Sequence, residues 1–245
     1  MNTKDIFIVV VFLAVLAGVG YVVYLGQSDT SVVDNKKEDV ATTDQAKVDD
    51  TKKIEDIKTV EKKVESESDI IINKLLNRNK NMQTATLNTT KGDITIAFFA
   101  DQAPNTVANF LKLAKEGFYD GIKFHRVIKG FMDQAGDPQS KDDTKMGSWG
   151  TGGPGYKFAD EIDASSELYT KVGYKAGVLA MANSGPNTNG SQFFIMAQDY
   201  ALDPLYTIFG KVVSGQDVVD AINNAQTGES DRPVTAIVIN SITIK

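Results

Sequence analysis

Between Ser28 and Gln83 the chain contains no proline, no glycine and no aromatic residue, and is dominated by Asp, Glu, Lys, Asn, Thr and Ser. A segment of that composition cannot bury enough apolar surface to offset the entropy of ordering it. Any large core must therefore lie to one side of it. On the N-terminal side, Ile6 to Leu25 is free of charge and almost wholly apolar. At about 1.5 Å per residue such a helix spans the roughly 30 Å hydrocarbon layer of a bilayer. It reads as an uncleaved transmembrane anchor, because a signal peptide has a shorter apolar region of about 7–15 residues followed by an A-x-A-like site. Gly18-Val19-Gly20 matches that site poorly. Three parts result: an anchor over 1–27, a polar spacer over 28–83, and a domain over 84–245.

Within the spacer, Ile57, Val60, Val64 and Ile71 fall at heptad-like spacing, but Glu67 and Lys74 occupy the alternate seam positions. A sustained coiled-coil seam needs about three or four heptads. The spacer is therefore expected to be solvated, with transient helix at most, and to contribute little core. The 26 basic and 32 acidic side chains leave no electrostatic footprint for nucleic acid. Without cysteine there is no disulfide, thiolate nucleophile or cysteine zinc site, and one histidine excludes a His-x-x-x-His metal pair. No metal or cofactor is expected.

From Thr84 the texture changes to short β-type runs, glycine-rich turns and two helical patterns. Thr84–Asn88 and Ile94–Phe99 flank Thr90-Lys91-Gly92-Asp93 and read as a hairpin. Pro104 opens a helix with Val107, Phe110, Leu111 and Ala114 on one face and Gly117 as its stop. A second helix is expected from Ser214 and Asp217 as a capping box, with Val218, Val219 and Ile222 apolar and Gly228 as its end. Further strands are expected at Phe124–Ile128, Val178–Ala182, Phe193–Ala197, Thr207–Val212 and Ala236–Ile244. Many short strands and two helices suggest a closed or nearly closed β-barrel with helices at its ends. Such a barrel closes its own sheet, so the domain is expected to be monomeric.

Gly150 to Gly155 matches G-x-G-x-x-G, but no helical pattern follows to receive a pyrophosphate, so it reads as a surface loop. Asp160, Glu161 and Asp163 read as solvated carboxylates. Two stretches are more informative: Phe124-His125-Arg126-Val127-Ile128-Lys129-Gly130-Phe131-Met132-Asp133-Gln134-Ala135-Gly136-Asp137, and Met181-Ala182-Asn183-Ser184-Gly185-Pro186-Asn187-Thr188-Asn189-Gly190-Ser191-Gln192-Phe193-Phe194. In the first, two strands meet at Gly130, and strand alternation puts Arg126 on the face opposite His125 and Val127. In the second, a long polar loop joins two strands.

Together these stretches resemble the signature of the cyclophilin family of peptidyl-prolyl isomerases, over about Thr84 to Lys245. The resemblance implies an eight-stranded antiparallel β-barrel closed by two α-helices, with a substrate groove on its outer wall. It places the family's catalytic arginine at Arg126 and, with it in the catalytic set, the polar groove residue Gln134. The proline pocket falls on Phe131, Met132, Phe194 and Leu202, a polar groove residue on Gln192, and the peptide-aligning backbone on Ala182 and Asn183. Ala201, next to Tyr200, stands where the best-known members have tryptophan, and Tyr206 where they have a groove histidine. Ala135 replaces a common glycine. These departures imply weaker cyclosporin binding more than impaired catalysis.

The implied reaction breaks no covalent bond, so the motif needs no nucleophile. Proline-containing polypeptides are the implied substrates. The alternative is a proline-binding scaffold or holdase, which would need the pocket but not Arg126. His125 is expected to be buried and structural. Lys4 and the terminal amine precede the apolar run, and Asp29 and Asp34 are the first charges after it. By the positive-inside rule the domain is expected outside the cytoplasm.

Overall fold

The computed structural model describes residues 67–77 and 83–245. The anchor expected at Ile6–Leu25, and Ile57, Val60 and Val64 of the heptad pattern, lie outside the described residues. Among the described residues, no helix is long and apolar enough to cross a membrane.

Residues 67–77 form helix α1. The strands are β1 (Thr84–Thr89), β2 (Gly92–Phe98), β3 (Arg126–Ile128), β4 (Met132–Ala135), β5 (Val178–Met181), β6 (Phe193–Met196), β7 (Ile208–Ser214) and β8 (Ile239–Ile244). Helix α2 (Pro104–Lys115) lies between β2 and β3, and α3 (Gln216–Asn223) between β7 and β8. All eight strands form one sheet in the order β3-β4-β6-β5-β7-β2-β1-β8, and every pairing is antiparallel. The two ends of that order approach through the chain flanking β3 and β8. The Phe124 N–H donates to the Ile237 carbonyl at 2.9 Å, and the Ile239 N–H to the Ile122 carbonyl at 2.8 Å. The sheet thus curls toward closure, which removes the open edge a flat sheet would leave.

This joint explains two boundary errors. Residues 122–124 and 237–239 pair with each other, so β3 begins at Arg126 rather than Phe124, and β8 at Ile239 rather than Ala236. The first hairpin is tighter than the expected four-residue turn: Thr89 pairs with Gly92, leaving only Thr90 and Lys91 between them. The capping box does not form. Ser214 ends β7, and Gly215 precedes α3 with a left-handed φ of 89° and no side-chain cap. A Cβ there would lie 2.2 Å from the Asp93 carbonyl oxygen, so glycine is required by contact as well as by backbone angle. Gly228 does not end α3, which stops at Asn223; its N–H instead donates to the Arg232 carbonyl in the following turn.

Strand alternation sorts the sheet into two apolar layers. Inside the barrel, Leu87, Ile96, Phe98, Leu179, Phe193, Ile195 and Phe209 pack with Phe110 of α2 and Ile222 of α3. Outside, Val178, Ala180, Phe194, Met196 and Ile208 pack with Leu168, Val172 and Tyr174 from the long β4–β5 connection. Ile72, Leu75 and Leu76 of α1, each 5 % exposed, belong to the same outer layer. The spacer therefore does contribute core. Its buried side is Ser68, Ile72, Leu75 and Leu76, an i, i+4, i+7, i+8 stripe, rather than the heptad seam.

Candidate active site

The β3–β4 hairpin sets the first part of the site. Its register pairs Arg126 with Gln134, Val127 with Asp133 and Ile128 with Met132, and β4 in turn pairs Gln134 with Phe194 of β6. Arg126, Gln134 and Phe194 thus form a row across three strands on the outer wall, while Val127 and Asp133 point into the barrel. The hairpin turn is clamped from α3. The Asn223 amide accepts from the Gly130 N–H at 2.8 Å, and donates to the Ile128 carbonyl at 2.9 Å and to Asp133 Oδ1 at 2.8 Å. Asp133 is fully buried, and among the described residues its Oδ2 has no hydrogen-bond partner. Burial pushes its carboxyl up to about 7, and nearby Asp220 adds to the rise while the Asn223 bond opposes it.

Arg126 stands at the rim with its side chain 45 % exposed. Its Nη1 donates to Gln134 Oε1 at 3.3 Å, and its Nε lies 3.7 Å from Asp231 Oδ2. Gln134 Nε2 donates to Gln192 Oε1 at 2.9 Å. Gln192 Nε2 donates in turn to the carbonyls of Gly150 at 2.9 Å and Gly152 at 2.8 Å. The glycine-rich loop is therefore the far end of a polar string that begins at Arg126. Buried Asp137 fixes the same loop by accepting from the N–H groups of Gly150 and Gly152. A Cβ at Gly152 would lie 2.1 Å from Asp137 Oδ1, so this approach needs glycine.

Beside this string lies an apolar socket. Met132 and Phe194 form its buried floor, and Phe131, Leu202 and Tyr206 are half-buried around it. Tyr206 meets Phe194 edge-on, with centroids 5.5 Å apart and planes at 84°. Exposed Tyr200 lies over Phe131 at 4.5 Å. Ala182 borders the socket, and Asn183 borders the groove next to it. The Asn183 amide is engaged within the protein, donating to the Leu205 carbonyl at 2.8 Å. All ten residues singled out in the sequence thus fall on one contiguous stretch of the outer wall, a charged donor at one side and an apolar recess at the other.

This arrangement has counterparts among known proteins. The profile described as "Cyclophilin type peptidyl-prolyl cis-trans isomerase/CLD" matches residues 83–244. The chain belongs to the cyclophilin family. It is 49 % identical over 162 residues to the Arabidopsis thaliana peptidyl-prolyl cis-trans isomerase CYP18-1, covering 66 % of this chain and 95 % of that one. It is 47 % identical over 179 residues to the Mycobacterium tuberculosis peptidyl-prolyl cis-trans isomerase A, covering 66 % and 91 % respectively. A crystal structure of a Cryptosporidium parvum cyclophilin type peptidyl-prolyl cis-trans isomerase aligns with a TM-score of 0.59 at 35 % identity, covering 67 % of this chain and 98 % of that one. The same parasite protein solved in the presence of the dipeptide Ala-Pro aligns at 0.58 and 34 % identity, covering 66 % and 98 %. Like its relatives, this cyclophilin is a peptidyl-prolyl cis-trans isomerase.

Several positions around this cyclophilin's site escaped sequence reasoning. His125 is buried, as expected, but neither ring nitrogen has a hydrogen-bond partner among the described residues. Burial pushes its pKa down to about 4, leaving it neutral at ordinary pH. Glu161 is not a solvated carboxylate. It accepts from the backbone N–H and side chain of both Asn105 and Thr106, at 2.7–3.0 Å, capping α2 from 55 residues away. Asp160 likewise holds the β5–β6 loop, accepting from the Asn187 N–H and the Asn189 amide. Asn223 and Asp231 are remote in sequence from the residues they hold, and no local pattern announces them.

Proposed function

We propose that this cyclophilin is a membrane-tethered isomerase acting on prolyl bonds of polypeptides outside the cytoplasm, with Arg126 as the group that stabilises the twisted amide. The observation that carries the catalytic part is the guanidinium at the socket's rim, braced by Gln134 and Asp231 and still 45 % exposed. Amide conjugation sets a barrier of about 18–20 kcal/mol, and twisting the X-Pro bond makes its nitrogen a better hydrogen-bond acceptor. A guanidinium can donate to that nitrogen, or to the adjoining carbonyl, without giving up a proton.

Shortening ~100 s to ~1 ms requires about 7 kcal/mol, whereas one hydrogen bond to a charged group is worth about 1.5–3 kcal/mol. The rest falls to desolvation and fixed geometry. Phe131, Met132, Phe194, Leu202 and Tyr206 would hold the proline ring, while Gln134, Gln192 and the backbone of Ala182 and Asn183 would hold the chain on either side. The Ala-Pro dipeptide in whose presence the neighbouring parasite structure was solved supports proline-containing ligands for this socket. A scaffold that only binds proline would need the socket but not the braced guanidinium, which favours the enzyme.

In a protease-coupled prolyl-peptide assay, Arg126→Ala should lower kcat/KM by roughly 10²-fold with circular dichroism unchanged. Arg126→Lys should also be poor, since an ammonium does not reproduce the planar fork. Wild-type turnover in a folded Arg126→Ala would overturn the assignment. Tethering and location rest on the uncharged run Ile6–Leu25 and on Lys4 preceding it. With α1 docked on the domain, the tether is residues 28–66, and as a coil that length would reach roughly 35 Å, enough to meet chains emerging near the membrane. Protease added to intact cells or spheroplasts should release an active fragment; full protection until the membrane is opened would reverse the orientation.

A further inference from the structure

The cyclophilin match begins at residue 83, yet α1 lies before it and is packed into the outer apolar layer. Through that layer α1 reaches the substrate socket in three steps. In the first, Ile72, Leu75 and Leu76 share a buried cluster with Leu168 and Val172, each 2 % exposed, and Lys74 Nζ pairs with Glu167 Oε2 at 3.0 Å. In the second, residues Leu168–Val172 form a short π-helical turn, closed by Gly173 at φ 58°, which carries Tyr169 and leads into Tyr174. Such turns are uncommon and sit frequently at functional sites.

The third step is the most specific. Tyr174 Oη donates to the Tyr206 carbonyl at 2.8 Å and accepts from the Tyr206 N–H at 3.1 Å. Tyr169 Oη donates to the same carbonyl at 3.3 Å and accepts from the Ile208 N–H at 2.9 Å. Two hydroxyls thus satisfy the backbone polar groups of one short stretch, and that stretch carries the ring standing edge-on to Phe194. Burial raises the Tyr169 pKa and lifts that of Tyr174 to about 12, so both hydroxyls keep their protons under working conditions.

We propose that α1 is a positioning element of the isomerase: docked against residues 167–172, it holds Tyr169 and Tyr174 in place, and they fix the backbone of Tyr206 and hence the socket's shape. The domain that performs the reaction accordingly extends before the family boundary, and the end of the spacer is built into the enzyme. This rests on reading Tyr206 and Phe194 as socket walls. Because β4 separates Arg126 on β3 from Phe194 and Tyr206, loosening α1 should weaken substrate binding more than it slows the twisted-state step.

The test uses the full chain, with KM and kcat read separately and every assay run well below the melting temperature. Leu75→Ala combined with Leu76→Ala should raise KM by about threefold or more with kcat nearly unchanged. Tyr174→Phe, which removes the hydroxyl alone, should give the same signature. Combining all three should add little to the larger effect, because both act through one segment. Should the leucine variant fail to fold, Lys74→Glu sets two like charges against each other while leaving the apolar stripe intact. It should raise KM, and adding Glu167→Lys should restore it. An unchanged KM in folded leucine or Lys74 variants overturns the proposal, as do effects that multiply independently with Tyr174→Phe. Failure of the underlying site reading shows separately, as undiminished turnover in Arg126→Ala.

Discussion

The barrel's interior and its outer wall are built from the same strands, residue by residue in alternation, yet they are completed differently. The interior is sealed by α2 and α3 and by the joint between residues 122–124 and 237–239, all within the family's span. The outer wall is apolar over a wider area than a proline ring could cover, and most of it is covered by α1 and by Leu168, Val172 and Tyr174. The uncovered remainder is the socket. The interior also buries His125 and Asp133, back to back with the Arg126–Gln134 row on the wall. The difference teaches that titratable groups inside this barrel bear on its stability, whereas the groups on the wall stand where a ligand can reach them.

The largest expected effect comes from the interior pair, whose shifts oppose each other. Between about pH 4 and 7 folded Asp133 keeps a proton that the unfolded chain has released. Its contribution to stability is present below about pH 4 and is lost as pH rises toward 7. For His125 the unfolded chain binds a proton between about pH 4 and 6.5 that the folded state refuses. Its contribution is full above pH 6.5 and is lost as pH falls through 4. Each group alone would tilt stability by about 1.4 kcal/mol per pH unit, accumulating to roughly 3–4 kcal/mol. Together they nearly cancel from about pH 4.5 to 6.5. Thermal melts of the wild type across that range should be almost level, those of Asp133→Asn should rise with pH, and those of His125→Leu should fall. Parallel profiles for all three proteins would show that neither group titrates as its surroundings dictate.

That pair also marks how far the sequence could be read. Arg126 facing out and His125 facing in follow from alternation alone, and the Gly130 turn between β3 and β4 from local chemistry. The hairpin, the two barrel helices and nearly all the strands were likewise legible. The β5 and β6 runs, Val-Leu-Ala-Met and Phe-Phe-Ile-Met, are buried on both faces, so they show that strands exist but not which side is covered or by what. The α1 stripe is one short amphipathic face inside a strongly polar composition, and composition outweighed it. Asn223 on the Ile128–Gly130 turn and Glu161 on α2 act across 55 to 95 residues, a distance at which periodicity is silent.

Glu161 sits where the two regions meet, and it offers the next effect in size. Its side chain caps α2, which closes the interior, while its own N–H donates to Thr207 Oγ1 at 3.0 Å, next to Tyr206 in the wall. Ala103, at the N-cap position of α2, offers no side-chain oxygen, so the first turn relies on this distant carboxylate for its free N–H groups and for the helix dipole. Glu161→Gln removes the charge and turns a donor toward groups that already donate. A loss of about 1–2 kcal/mol is expected, lowering the melting temperature by about 2–8 °C. An unchanged melting temperature would mean that solvent satisfies that turn.

The smallest expected effect belongs to the wall and concerns Asp231. Ser230 and Asp231 both adopt left-handed backbone, at φ 60° and 57°. That conformation costs an ordinary residue about 1–2 kcal/mol, so the surroundings must enforce it. They do so through the Gly228 N–H to Arg232 carbonyl bond at 2.8 Å and through the Arg232 guanidinium lying 5.3 Å over the Trp149 ring. The result is a carboxylate held beside Nε of Arg126 while Gln134 engages Nη1; among the described residues Nη2 has no hydrogen-bond partner. Both partners of the pair are about half exposed, which limits it to under about 1 kcal/mol. Asn tolerates the same backbone, so Asp231→Asn tests the charge alone. It should lower kcat/KM by about two- to threefold in dilute buffer, and the gap should close near about 0.5 M salt, where the screening length falls to a few ångströms. A gap that persists at high salt would mean that Asp231 acts by shape rather than charge. A variant faster than the wild type would mean that Asp231 competes with the substrate for the guanidinium, and the brace would then be a restraint on the wall's chemistry.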